Sequence, residues 1–161
     1  MNIPDIEKIL YATDLSENAR HAFSYAVSLS NRYEASITLV HVLEELPPST
    51  LSRLSDYLDE EQLGQIRRRN QESVLQTARE KLHKFCDESV PSCPPVEIVV
   101  KEGHAVEEIL EMAHSGDHDI VVMGTHGRGF FAGAMMGNTA RRVIRRCRIP
   151  VLVIRLPEDE D

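Results

Sequence analysis

Between Gly124 and Thr139 the chain reads Gly-Thr-His-Gly-Arg-Gly-Phe-Phe-Ala-Gly-Ala-Met-Met-Gly-Asn-Thr, with five glycines in sixteen residues. The segment follows an apolar run and precedes a helical pattern. Glycines let a backbone approach a ligand closely and adopt positive φ. A helix start adds unpaired N–H groups backed by partial positive charge. Together these bind an anion, and a phosphate above all, without a catalytic side chain. Asn138 and Thr139 are read as helix caps and extra side-chain donors, and Arg128 as a cation within reach of a phosphate. His126 is read either as a phosphate contact or as a residue that structures the loop. The plainer reading of the whole segment is a surface loop whose glycines serve turns only.

Two familiar phosphate motifs do not fit. A Walker A loop needs G-x-x-x-x-G-K-[ST], and this stretch holds no lysine. A dinucleotide fingerprint forced onto Gly127, Gly129 and Ala132 lies in the fourth strand–helix connection. The position about 20 residues on is the apolar Leu152 rather than an acid. His114 and His118 are four apart, but Gly116 falls between them, which removes the shared helical face that a metal pair needs. His41 is read as a packing residue at a strand end.

The elements that must position the loop follow from periodicity. Lys8 to Thr13 is a short apolar run ending at Asp14, read as a buried strand, with Ser16 as N-cap of the helix after it. Ala35 to Leu43 is rich in β-branched residues and forms a second strand. Glu44 to Asp59 is a long connection with a short helix near Leu51 to Leu58, and a long helix follows from about Glu60 to Asp87. Val96 to Lys101, His118 to Met123 and Pro150 to Arg155 complete five strands. Helices separate the last three, and Gly103 turns the chain into the first of these. Alternating strands and helices, with strands apolar on both faces, predict a doubly wound α/β fold with a parallel sheet.

The 161 residues fit a single domain, with a core of about 6–156 and an acidic tail at 157–161. No apolar run is long enough to cross a bilayer, no leader is read at the N-terminus, and a cytoplasmic protein is expected. Cys86, Cys93 and Cys147 are odd in number and form no C-x-x-C pair, so reduced thiols are expected rather than a disulfide framework. The net charge of −8 is uneven: Thr125 to Arg155 holds seven arginines and no acid, leaving −15 elsewhere. Arg141, Arg142, Arg145, Arg146 and Arg148 cluster on the last helix. They are read as a solvated face or a docking surface rather than a nucleic-acid patch, because the chain is acidic overall.

Gly124-x2-Gly127-x9-Gly137 followed by a small polar residue resembles the ATP-binding pattern of the universal stress proteins. The opening Ala12-Thr13-Asp14-x-Ser16, His41-Val42, Gly103 before a helix, and Pro150-Val-Leu-Val153 resemble the same family. The resemblance runs from about Lys8 to Arg155. It implies a Rossmann-like five-stranded sheet in the order 3-2-1-4-5, helices on both faces, and a homodimer through the last strand, Val151 to Ile154. It implies ATP or another adenine nucleotide as ligand, with Mg²⁺ or Mn²⁺ held through the phosphates. Position by position, Ala12, Thr13 and Asp14 would border the adenosine, and Val42 would offer backbone groups to adenine. Met123 and Gly124 would pack on the nucleoside, and Gly127, Gly137, Asn138 and Thr139 would hold phosphates. Two positions depart from the pattern: ATP-binding members carry Ser or Thr where this chain has Asn138, and many carry Pro at Ala105.

The implied role is a nucleotide-dependent stress-response module. The loop supplies dipoles but no evident base to activate water, so ATP hydrolysis is slow at most. ATP-pyrophosphatases use an S-G-G-x-D loop where this chain reads Asp14-Leu-Ser-Glu-Asn18. A receiver domain would need an acceptor Asp after the third strand and a Lys after the fifth, and neither is present. The alternative is an interaction protein of the same fold that takes no nucleotide.

Overall fold

The structure is a computed structural model in which residues 3–17, 19–89, 92–126 and 136–155 are described. The elements are β1 (Lys8–Ala12), α1 (Ala19–Tyr33), β2 (Ser36–Glu44), α2 (Pro48–Ser55), α3 (Glu60–Ser89), β3 (Val96–Gly103), α4 (Ala105–Ser115), β4 (Ile120–Gly124), α5 (Asn138–Arg146) and β5 (Val151–Ile154). All pairings are parallel and the strand order is β3-β2-β1-β4-β5, as the resemblance implies.

Alternation along β1 explains the two-faced core. Ile9 and Tyr11 join a cluster with Ala22, Phe23, Ala26 and Val27 of α1 and Phe85 of α3. Leu10 and Ala12 join a second cluster with Val106, Ile109 and Leu110 of α4 and Ala140 and Val143 of α5. A strand whose successive side chains point to opposite faces must be apolar throughout when both faces are covered. The aromatic rings of Tyr11, Phe23 and Phe85 run in series, at 5.1 and 4.9 Å between centroids, and tie β1, α1 and α3 together.

At Gly103 the backbone takes φ 149°, and a Cβ there would sit 2.7 Å from the Glu108 carboxylate. The φ therefore favours glycine as the chain enters α4.

Two expectations need correction. Ser16 does not cap α1, which begins at Ala19, because Leu15 adopts φ 62° and the turn around it delays the helix. Cys86 and Cys93 are joined as a disulfide, with Cα atoms 5.5 Å apart. Their spacing does not advertise the bond, which forms because the chain reverses from α3 into β3 and brings the two positions within bonding reach. Cys147 is free. No described helix is long and apolar enough to cross a membrane. The 157–161 tail lies outside the described residues.

Candidate functional site

The register sets Ala12 opposite Met123 on β1 and β4, and Ala12 opposite Val40 on β2. Thr13 and Asp14 therefore emerge at the same carboxyl end of the sheet as Gly124 and Thr125. In this strand order β1 and β4 flank the point where the connections change direction, where open α/β sheets hold their ligands.

The turn after β1 is held closely. The Thr13 N–H donates to the Val40 carbonyl at 3.0 Å. His41 Nδ1 stands 2.9 Å from the Thr13 carbonyl. A carbonyl only accepts, so Nδ1 carries the proton and donates. The Leu15 N–H donates to Thr13 Oγ1, and the Ser16 N–H to Asp14 Oδ1, both at 3.0 Å. These side-chain turns are what Thr and Asp form next to a left-handed residue. Lys81 of α3 donates to the Leu15 carbonyl. Beneath, the buried Tyr11 hydroxyl donates to the Ala19 carbonyl at 2.7 Å. Burial raises its pKa well above the usual 10.0. The hydrogen bond to Thr13 works in the opposite direction, and the Asp14 charge adds a smaller rise.

One atom of this turn is left over. Asp14 Oδ2 is buried and has no hydrogen-bond partner among the described residues. An unsatisfied buried carboxylate oxygen is costly, and native proteins keep few of them. It is an acceptor placed where a ligand's hydroxyl or amine would satisfy it.

β2 contributes an open backbone edge. It continues to Glu44, whereas its pairing with β1 stops at Val40. In a parallel strand the N–H and C=O of one residue point to the same neighbour, and the direction repeats every second residue. Val40 points its carbonyl at Thr13 of the β1 side. Val42 therefore points both its backbone groups the same way, beyond the end of the ladder. Val42 and Met136 are half-buried against the cluster that contains Ala12 and Met123, so an apolar wall borders these polar groups.

On the β4 side, the buried Thr125 joins the two ends of the glycine segment. Its N–H donates to the Ile154 carbonyl at 2.9 Å, and its carbonyl accepts the Gly137 N–H at 2.7 Å. Thr125 Oγ1 lies 2.8 Å from His126 Nδ1. A Cβ on Gly137 would be 3.2 Å from that same Thr125 carbonyl. A side chain at Gly137 would thus crowd the close approach of two backbones. Gly137 is also the N-cap of α5, with no side-chain capping bond. This corrects the reading of Asn138 and Thr139 as caps: they are the first two helical residues, Asn138 exposed and Thr139 half-buried. Gly127 and Arg128 lie outside the described residues.

Sequence reading missed Thr125, Met136, Lys81 and the hydrogen-bonding role of His41. Thr125 acts mainly through its backbone, and Lys81 is 66 positions from its partner, so neither has a local signature. Two other histidines are spent on structure. His118 Nδ1 donates to the Met112 carbonyl, and His114 Nε2 accepts the Arg148 N–H, both at 3.0 Å. Among the described residues no group of three His, Cys, Asp or Glu is placed to hold a metal ion. In the arginine cluster, Arg146 clasps Glu107 of α4 with two bonds at 2.6 and 2.9 Å.

The sequence pattern of the Universal stress protein family matches residues 5–155. Universal stress protein MJ0577 of Methanocaldococcus jannaschii is 25% identical over 153 residues, covering 92% of this chain and 94% of that one. Its solved structure superposes with a TM-score of 0.76 over 97% of this chain and 100% of that one, at 22% identity. A universal stress protein solved in complex with cAMP superposes with a TM-score of 0.63, at 17% identity, over 96% of this chain and 100% of that one. Another, from Archaeoglobus fulgidus and in complex with dAMP, gives 0.51 at 14% identity, over 94% of this chain and 99% of that one.

Proposed function

The chain belongs to the universal stress protein family, and from that premise we propose that it binds an adenine nucleotide, ATP by its glycine pattern, as a nucleotide-dependent regulatory module. The observation that carries this reading is the buried, unpartnered Oδ2 of Asp14. A ribose hydroxyl or the adenine amine supplies the donor that this oxygen lacks. The N–H and C=O of Val42 suit the adenine edge, which presents an acceptor beside a donor. Ala12, Met123 and Met136 form the apolar bed for the base, with Thr13 and Gly124 at its border. The first turn of α5, from Asn138 and Thr139, turns its N–H groups to the phosphates, because the Gly137 N–H is already engaged. His126, Gly127 and Arg128 complete the phosphate end. Two relatives of the same fold, solved with cAMP and dAMP, agree with an adenine ligand.

Mg²⁺ or Mn²⁺ is held by phosphate oxygens rather than by a protein cage, since the described residues gather no metal cluster. Asp14 is a carboxylate at the carboxyl end of β1 and stands at the nucleoside end. It is poorly placed to activate water at a γ-phosphate, so turnover is slow at most. β5 is the edge strand on one side of the sheet, and an edge invites pairing. Two copies joined along Val151 to Ile154 form the homodimer, and light scattering that returns the monomer mass at micromolar concentration would exclude it.

Isothermal titration with ATP and Mg²⁺ tests the ligand. Saturable binding that is lost in Gly137→Val supports the reading. The competing reading, an interaction protein without a nucleotide, draws on the exposed Asn138 at the first helical position, where ATP-binding relatives carry Ser or Thr. No binding up to millimolar ATP, on protein free of co-purified nucleotide, would decide for it.

A further inference from the structure

The geometry points to Lys81 of α3 as a positioning residue that sets the Asp14 carboxylate for its ligand; this rests on the nucleotide reading above. Leu15 C=O and Ser16 N–H are the two ends of one peptide plane. Lys81 holds the carbonyl end, and Asp14 Oδ1 holds the N–H end at 3.0 Å. The bond to Oδ1 fixes the rotation of the carboxylate and so leaves Oδ2 inward and buried. The plane follows a leucine at φ 62°, a region that L side chains seldom occupy and leave readily. Rotation of this peptide away from Lys81 would withdraw the Ser16 N–H and release the carboxylate. The ammonium thus acts on Asp14 through a single rigid plane.

The helix that carries Lys81 is itself anchored to the segment it grips. Phe85 packs on Phe23 of α1, and Glu88 pairs with Arg20 of α1 at 2.9 Å. Lys81 also lies 4.0 Å from the Glu17 carboxylate in the same connection. Its side chain is 40% exposed, so its removal leaves no core cavity. Lysine is suited to the task because an ammonium on a flexible stem reaches a single carbonyl as a compact donor.

The test is a double-mutant cycle read by titration with ATP and with adenosine, using Lys81→Met, Lys81→Arg, Asp14→Ala and the Lys81→Met/Asp14→Ala pair. Lys81→Met is expected to weaken ATP and adenosine by the same factor, about tenfold, and to have no further effect once Asp14 is alanine. Lys81→Arg is expected to recover most of the loss. Amide exchange without ligand supplies a separate readout: the Ser16 amide should lose its protection in Lys81→Met while the α1 amides keep theirs. Parental ATP affinity in Lys81→Met, or an equal loss in the Asp14→Ala background, would overturn the proposal. If the parent binds no nucleotide, the functional reading fails on its own. An unchanged Ser16 amide would then sink the positioning role, and a deprotected one would uphold the hold on the turn.

Discussion

Two aspartates stand at opposite ends of the β1–β4 pair. Asp119 precedes β4, and its Oδ2 accepts the N–H groups of Glu7 and Lys8, both at 2.8 Å. Its own N–H donates to the Lys8 carbonyl at 2.8 Å. Asp14 follows β1 at the other end, accepts one N–H on Oδ1, and keeps Oδ2 buried without a partner among the described residues. The residue type is the same, and each lies just beyond one end of a central strand. The difference lies in what satisfies the carboxylate. At the Asp119 end the chain closes on itself, which serves stability. At the Asp14 end it retains an acceptor that costs stability in the free protein, which is a feature to expect where something other than the chain completes the bonding.

The sharpest way to break this comparison is to remove each carboxylate in turn. Asp119→Ala should lower unfolding free energy by about 3 kcal/mol, the loss of two charge-assisted hydrogen bonds, in urea titration. Its ATP affinity should remain parental. Asp14→Ala should do the reverse. ATP affinity falls about 30-fold, or about 2 kcal/mol, while the urea midpoint holds or rises. A variant that loses both properties together would erase the distinction between the two ends.

Two smaller effects sharpen it. Reduction of the Cys86–Cys93 disulfide, which closes a short loop where α3 passes into β3, should lower stability by about 2 kcal/mol and leave ATP affinity within about twofold. The least effect concerns Glu107. The hydrogen bonds from Arg146 hold its carboxyl below the usual 4.5, with the charges of Arg146 and Arg142 assisting. Because the folded pKa is depressed, this stabilisation is present above the ordinary carboxylate range and is lost as pH falls from about 4.5 through the lower folded value. Glu107→Gln should therefore remove a small part of the acid sensitivity of unfolding, seen by comparing urea midpoints at pH 7 and pH 4. Both residues are exposed, so the change at pH 7 should be slight.

Much of the fold was legible because β1, β2 and β4 are apolar on both faces and the helices between them show clear periodicity. The strand order was carried by the resemblance, since periodicity alone does not choose among parallel topologies. Of the proposed site, Asp14 at a strand end and the glycine at 137 stand out in the sequence by residue type, whereas Val42 is named only through the resemblance. The contacts that pass through the backbone or across the sequence were not legible. Thr125 reads as an ordinary small residue, yet its carbonyl joins the two ends of the glycine segment. Lys81 reads as one more charge on a solvated helix, yet it holds the peptide next to Asp14. Ser16 and Asn138 were misread as caps for a shared reason: the left-handed Leu15 in one case and the tightly held Gly137 in the other set the helix start.

The most direct test of the account is calorimetric titration of ATP with Mg²⁺ into the parent and Asp14→Ala proteins, side by side, after removal of any co-purified nucleotide. Saturable micromolar binding by the parent, weakened about 30-fold in the variant at an unchanged unfolding midpoint, is the predicted result. Equal affinities in the two proteins would contradict it, because the buried oxygen would then have no part in recognition.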